Sequence, residues 1–431
     1  MAFSKKQIFM VGGGVFLGLL VLVLILLNIR NKVGSATLTV WGFDNESVFD
    51  KLRSAYVQAR PGVKINYKKV SEDTYDKDLL EALALDQGPD IFLVRSGSLL
   101  KDKAKLTPVL PDQFTLASFR DPNLGFPQVV EQDFVSGGRI YALPLYLDTL
   151  ALFYNKDLFD QAAVVYPPTT WKEFQALIPT LIRLDERGQI LRAAAAIGGS
   201  TKTLGSAADL LNLLMFQNGV EMFDQSSRAN FTAGGNTGPG ARAFQFYLQF
   251  SNPVSQNYTW NDTLGKAFDS FSDGKTAMTF GYYNDLNVLK RKNPFLNVGV
   301  AMMPQVDPEK SVNFANYVGW GVSRKSRYSR EAWDFIVYGT TNPGVQKIYF
   351  QEAKRPPALK ALIAGLLKDP ELGVFARQAL TARSWPRGDA EEARRIFGAM
   401  IDKVLFSKAD SFLSLQQAEE EVSKLMREIL K

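Results

Sequence analysis

Two rhythms of apolar positions alternate along this chain. Residues 37–41, Thr-Leu-Thr-Val-Trp, read as a short strand, and Val48, Leu52, Ala55 and Ala59 then recur at three- and four-residue spacing until Pro61-Gly62 stops them. Val63, Ile65 and Tyr67 alternate as a second strand, Leu79, Leu80 and Leu83 mark a second helix within residues 74–85, and Ile91, Phe92, Leu93 and Val94 form a continuous apolar run. The order is βαβαβ. In open parallel sheets a ligand sits beyond the carboxyl ends of the strands, which puts Trp41, Asp44 and Arg95 on one rim.

The stretch 136–171 is the most structured in its pattern. Ser136-Gly137-Gly138 has the backbone freedom of a hairpin turn, and Ile140, Tyr141, Leu143, Leu145 and Leu147 read as a buried strand interrupted at Pro144. That run meets a lone acid, Asp148, before Leu150, Leu152, Phe153 and Tyr154 resume it. Pattern alone leaves Asp148 open between a solvated acid on a core strand and a functional group. Pro167, Pro168 and Thr170 prepare a helix start at Trp171.

Amphipathic helices are expected over 170–184, 207–218 and 240–250. The glycine-rich loop 234–240 has neither the Walker A spacing nor a GxGxxG after a strand, and so reads as a surface connection. A helix at 267–271, a strand at 275–280, an aromatic loop at 281–285 and a strand at 298–303 follow. Trp320 stands between Gly319 and Gly321, where the backbone can approach a neighbour closely, and residues 411–431 keep Leu415, Ala418, Val422, Leu425, Met426 and Ile429 on one helix face.

Residues 8–27 carry no charged or amide side chain. At about 1.5 Å per residue they span roughly 30 Å of hydrocarbon, longer than the apolar core of a signal peptide. An uncleaved, single-pass membrane anchor is expected. Lys5 and Lys6 before it and Arg30 and Lys32 after it favour a cytoplasmic N-terminus only slightly. Gly14 and Gly18 do not carry a dimer prediction, and a monomer is expected.

The 431 residues imply two domains of ordinary size. The chain has no Cys and no His, which excludes thiol nucleophiles, a Ser-His-Asp triad and the usual zinc and haem ligands; no cofactor or metal is expected. A net charge of +6, without a long Lys/Arg run, does not indicate nucleic acid.

Several motifs in order resemble those of the extracytoplasmic solute-binding proteins of ABC importers, in the large sugar-binding group that includes the maltose-binding protein. They are Val40-Trp41-Gly42, Gly88-Pro89-Asp90, the run Gly138-Arg139-Ile140-Tyr141-Ala142-Leu143-Pro144 with Phe153-Tyr154-Asn155-Lys156-Asp157-Leu158-Phe159 and Pro167-Pro168-Thr169-Thr170-Trp171, and Asp273-Gly274-Lys275-Thr276-Ala277-Met278. The likeness covers residues 37–431. Two departures stand out: there is no lipid-modified Cys, and no clear aromatic cluster near the C-terminus, where Trp385 is the nearest candidate.

The resemblance implies an α/β, two-lobed periplasmic-binding-protein-like fold of type II behind the single N-terminal transmembrane helix. It implies a soluble part outside the cytoplasmic membrane, delivery of a small polar solute, most often a sugar or oligosaccharide, to ABC permease subunits, and no enzymatic activity. The expected division is an anchor and linker at 1–36, a first lobe of 37–147 plus 300–338, and a second of 148–299 plus 339–431. Crossings are expected near 146–150, 298–303 and 337–341. Ring faces are expected from Trp41, Trp260, Tyr282, Tyr283, Trp320 and Trp385, and polar contacts from Asp44, Arg95, Asp148 and Asn284. Two other classes remain as alternatives: a membrane-bound sensor with the same fold, and a glycosidase using Asp44 and Asp148 as its carboxylate pair.

Overall fold

Strand β1 (Ala36–Gly42) lies parallel to both β2 (Val63–Lys69) and β3 (Ile91–Arg95), with helices α1 (Glu46–Ala59) and α2 (Tyr75–Ala84) as the crossovers. This is the βαβαβ opening that the periodicity predicts. The computed structural model describes residues 36–430, so the expected membrane span at 8–27 lies outside the described residues. Among those residues no helix is long and apolar enough to cross a membrane.

The chain continues through β4 (Leu106–Thr107) to a hairpin of β5 (Val135–Ser136) and β6 (Arg139–Ile140). Its turn residues Gly137 and Gly138 take φ of 56° and 71°, where a side chain would be strained. Then comes β7 (Leu143–Pro144), followed by the strands of a second sheet. These are β8 (Ala151–Asn155), β9 (Arg183–Leu184), β10 (Ile190–Ala195), β11 (Thr276–Gly281) and β12 (Val298–Ala301), arranged β12-β8-β11-β10-β9.

Helix α3 (Trp171–Leu181) starts where Thr170 and Glu173 form a reciprocal capping box. It buries Trp171, Phe174 and Ile178 on this sheet, while α4 (Ala207–Gln217) is buried along almost its whole length. The expected aromatic loop at 281–285 is instead the start of α5 (Tyr283–Lys292). The Tyr282 N–H donates to the Asp285 carboxylate at 2.8 Å, which sets the first turn.

After β12 the chain forms β13 (Asn313–Phe314) and returns to the first sheet as β14 (Val318–Ser323). There it sits antiparallel between β3 and β4, with β7 also paired to it, giving the order β2-β1-β3-β14-β4. The glycines around Trp320 serve this packing. A Cβ on Gly319 would stand 2.7 Å from the Phe134 ring, and one on Gly321 would stand 2.6 Å from a Leu106 methyl and 2.9 Å from the Tyr141 carbonyl oxygen.

Each sheet anchors a large apolar core, with a smaller cluster around Phe153, Tyr283 and Phe375 also on the second sheet, and the two large cores locate the crossings. Leu147 packs in the first core and Leu150 in the second. The next crossing falls between Phe314 and Ala315, later than expected, because Ala301 and Met303 still pack in the second core. The last falls between Ala382 and Trp385. Helix α6 (Ser329–Thr341), helix α7 (Pro343–Ala353) and residues as far as Ile363 pack in the first core, whereas Val374 and Phe375 pack with Phe153 and Tyr283 of the second lobe and Ala376, Ala379 and Ala382 return to the first core. The stretch 339–363 therefore sits with the first lobe and not the second, and 373–382 bridges the two. Periodicity could not place that boundary, since a helix reads alike on either lobe.

The three crossings lie side by side. The Leu150 N–H donates to the Phe314 carbonyl at 3.0 Å, the Asn316 N–H to the Asp148 carbonyl at 3.1 Å, and β13 runs parallel to β15 (Ala382–Arg383). Helix α8 (Gly373–Ala379) precedes β15, and α9 (Ala390–Ser407) and α10 (Ser411–Leu430) finish the second lobe. Leu415, Ala418, Val422 and Met426 of α10 are buried, as the sequence pattern anticipates.

Candidate functional site: a polar cleft at the lobe junction

A cleft of about 130 Å³ opens where the crossings meet, lined from the first lobe by Glu72, Arg95, Tyr146 and Arg355, and from the second by Tyr282, Asn284 and Asp285. Asp148, Asn316, Tyr317 and Val318, on the crossings themselves, form its floor. Of the residues expected from sequence, Arg95, Asp148, Tyr282 and Asn284 therefore come together.

Asp148 is held by backbone. The Tyr283 N–H, at the first turn of α5, donates to both carboxylate oxygens at 3.1 Å, and the Thr149 N–H donates to Oδ1 at 2.9 Å. Burial dominates all the same and pushes the carboxyl up to about 7. The Tyr283 N–H and the Arg355 guanidinium pull it down, and Asp285 pushes it further up.

Arg95, at the end of β3, is gripped by acids: Glu72 at 3.2 Å, Glu391 of α9 at 3.5 Å and Asp76 at 3.8 Å. Tyr282 reaches the buried Asp209 with its hydroxyl at 2.7 Å, and Asn316 and Arg394 lie at 3.4 and 3.6 Å from the same oxygen. Asn284 is exposed at the cleft edge.

The other expected residues lie elsewhere. Trp41 is the penultimate residue of β1, with Lys68 4.3 Å above its ring, and does not line the cleft. Asp44 accepts the Tyr349 hydroxyl at 2.7 Å beside a separate small cavity. The Tyr283 ring packs edge-on to Phe375 and donates to Glu371 at 2.6 Å, so this residue offers the cleft its backbone and not its face.

Three tryptophans expected as sugar platforms are core residues. Trp260 is fully enclosed beside Gly199 and Thr203; Trp320 is packed between Phe49 and Phe335; and Trp385 donates to Asn212 at 2.8 Å while packing on Phe223 and Phe397. Burying an indole against its own core leaves no open face for a ligand.

The sequence reading missed Arg355, Tyr146, Glu72, Asp285, Asn316 and Tyr317. Arg355 follows α7, where Lys354 takes a left-handed φ of 52°, and Pro356-Pro357 then run beside the first crossing, with the Leu147 N–H donating to the Pro356 carbonyl at 3.0 Å. That alignment lays the guanidinium over the Tyr146 ring at 4.5 Å. The only local signal was a charge followed by two prolines at the end of a helical pattern.

The lobes also touch outside the cleft. Lys101 pairs with Asp389 at 2.7 Å, the Arg387 guanidinium donates to the Ser96 carbonyl at 2.7 Å, and the Ala390 N–H donates to the Ser98 hydroxyl at 2.9 Å. Below them the buried Asp133 accepts from the Gly97 N–H, the Tyr317 hydroxyl and the Ser384 hydroxyl at 2.7 to 2.9 Å, tying the first lobe to two crossings.

Two lobes, three adjacent crossings and a polar cleft between them define a periplasmic-binding-protein fold. The sequence profile of the bacterial extracellular solute-binding proteins matches residues 44–346, and the chain belongs to that family, one of binding proteins rather than enzymes. It is 22% identical to a binding protein of Brucella abortus over 71% of this chain and 74% of that one. It is 25% identical to the mannitol-binding protein of Pseudomonas aeruginosa over 57% and 54%, and 23% identical to the maltodextrin-binding protein MdxE of Bacillus subtilis over 68% and 67%.

Solved structures of similar fold include the sugar-binding protein MalE of Xanthomonas citri, with a TM-score of 0.73 and 19% identity over 91% of this chain and 98% of that one. An ABC transporter solute-binding protein of Thermotoga lettingae bound to α-D-tagatose gives 0.70 and 20% over 91% and 100%. The family assignment leaves no place for the glycosidase alternative.

Proposed function

We propose that this chain is a membrane-anchored binding protein that captures a sugar or a related polyhydroxylated solute between its lobes and delivers it to the permease of an ABC importer. The observation that carries this reading is the cleft. Three carboxyls, two guanidinium groups and two amides converge from both lobes and the crossings on one small space, with three tyrosines beside them. Such a mix suits hydroxyl groups, each of which donates to an acid and accepts from a cation. The mannitol- and maltodextrin-binding relatives support the same class of solute.

Closure follows from differential affinity: a solute that touches both lobes binds the closed arrangement better and shifts the population toward it. The apolar run at 8–27 supplies the tether in this reading, with the soluble part outside the cytoplasmic membrane as a monomer. The test is thermal unfolding of the purified full chain in detergent against a carbohydrate and polyol panel. The true ligand raises the midpoint in a concentration-dependent way, as mass action requires, and no response to any saccharide or polyol at millimolar concentration rejects the reading.

A further inference from the structure

The cleft's charges are arranged unevenly. Arg95 is ion-paired with Glu72, Asp76 and Glu391, although its Nε makes no hydrogen bond. Arg355 is not: among the described residues it makes no ion pair or hydrogen bond, and rests only on the Tyr146 ring. The acids across the gap, Asp148 and Asp285, feel it through space and not by contact. Arg355 is half-buried, so its donors face the open cleft, and a ligand that displaces water there has to replace those hydrogen bonds.

What fits that gap is chemically constrained. An anion would gain from Arg355 but be repelled by Glu72 and by whatever fraction of Asp148 and Asp285 is ionised, and a cation would meet the reverse. A neutral hydroxyl satisfies both sides at once, accepting from the guanidinium and donating to a carboxylate, and neighbouring hydroxyls on one carbon skeleton repeat the bridge. Size points the same way. The cleft's volume of about 130 Å³ is well below the roughly 300–1,000 Å³ of sites for larger ligands. Arg355 covers one face of Tyr146, and Trp260, Trp320 and Trp385 are buried in the cores, so no indole platform extends the site for a second or third ring.

We propose that the ligand is a compact uncharged polyol, a single monosaccharide ring or an alditol of similar size, whose adjacent hydroxyls bridge Arg355 to Asp148 and Asp285, and that Arg355 is the residue that sets this preference. The proposal rests on the sugar-binding reading above and narrows it.

The experiment is titration calorimetry of the full chain at pH 7 with hexoses, hexitols, hexose phosphates, and tri- and tetrasaccharides, repeated on Arg355→Met and Arg355→Lys. Expected is tightest binding to a monosaccharide or hexitol, with hexose phosphates at least tenfold weaker. Arg355→Met, which keeps an apolar chain on Tyr146, should weaken the best ligand by about 10- to 100-fold, with Lys restoring part of the loss, while the ligand-free thermal midpoint stays within a few degrees.

An oligosaccharide or a phosphate ester that binds tenfold tighter than every neutral monosaccharide and hexitol overturns the proposal but leaves sugar binding intact. Unchanged affinity in Arg355→Met does the same. Absence of binding to every saccharide and polyol rejects the underlying reading as well. If Arg355→Met does not fold, the size and charge series on the wild-type chain still decides between the two.

Discussion

Both carboxylate oxygens of Asp148 accept the backbone N–H of Tyr283, each at 3.1 Å, so the floor of the cleft is joined to the first turn of the helix Tyr283–Lys292. A carboxylate at that end of a helix meets unpaired N–H groups and the positive end of the helix dipole. From sequence, the acid in an apolar run points to a ligand. The structure gives it a helix terminus first, with the cleft on its remaining side.

The first prediction concerns pH. Asp148 is raised from 3.8 to about 7 by burial, so between these values the folded chain binds a proton that the unfolded chain has lost. Its contribution to stability therefore falls as pH rises from about 4 to about 7 and is level above that. The full difference is on the order of 4 kcal/mol. In ligand-free Asp148→Asn this component disappears. Urea unfolding at pH 5 and pH 8 should show the wild type losing more stability than the variant across that interval, and equal losses would refute the assignment.

Tyr317 and Asp133 give a second, opposite test. Asp133 is pushed up to about 6 by burial and held from rising further by the Tyr317 and Ser384 hydroxyls. Removing one donor in Tyr317→Phe leaves the ionised carboxylate poorer by a hydrogen bond, with a cost of about 1–3 kcal/mol. Because the bond favours the charged form, the deficit should be larger at pH 8 than at pH 5. A deficit independent of pH would mean that Tyr317 contributes only by packing.

How much of this was legible in the sequence differs by level. The strands Ala36–Gly42, Val63–Lys69 and Ile91–Arg95 and their helices followed from periodicity because each is a local pattern ended by Pro or Gly. The cleft was only half legible. Arg95 ends a strand, where topology places ligands, and Asp148 stands out as a lone acid in an apolar run, but Arg355 reaches the cleft because Pro356 and Pro357 run beside Tyr146 and Leu147, a pairing across more than two hundred residues. The tryptophans misled for a physical reason. The same large apolar face serves a sugar stack or a core equally, and only burial separates Trp260 and Trp385 from a binding surface.

Gly321 offers a packing prediction. A Cβ there would stand 2.9 Å from the Tyr141 carbonyl oxygen, which is backbone and cannot rotate away, as well as 2.6 Å from a Leu106 methyl. Gly321→Ala should destabilise the first lobe by about 1–3 kcal/mol. Gly365, exposed within the helix Lys360–Leu366 with nothing within 4 Å of its Cβ position, is the contrast. Gly365→Ala should be stabilising by about 0.5–1 kcal/mol, because alanine loses less backbone entropy in a helix. Chemical denaturation of the two variants side by side checks both signs.

The last prediction concerns closure. Lys101 of the first lobe and Asp389 of the second meet at 2.7 Å, both partly exposed, and neither lines the cleft, although Lys101 also pairs with Asp76, a partner of the cleft residue Arg95. If binding draws the lobes together, this pair is formed with the ligand and adds to its apparent affinity without touching it. A partly exposed ion pair contributes about 0.2–1 kcal/mol, so Lys101→Met should raise Kd by no more than about fivefold. Raising the salt concentration from 0.15 to 1 M should shrink the difference between wild type and variant, since the Debye length falls from about 8 to about 3 Å. A larger loss would place Lys101 in the binding path itself. No loss at low salt would mean that this contact is equally present in the open and closed forms.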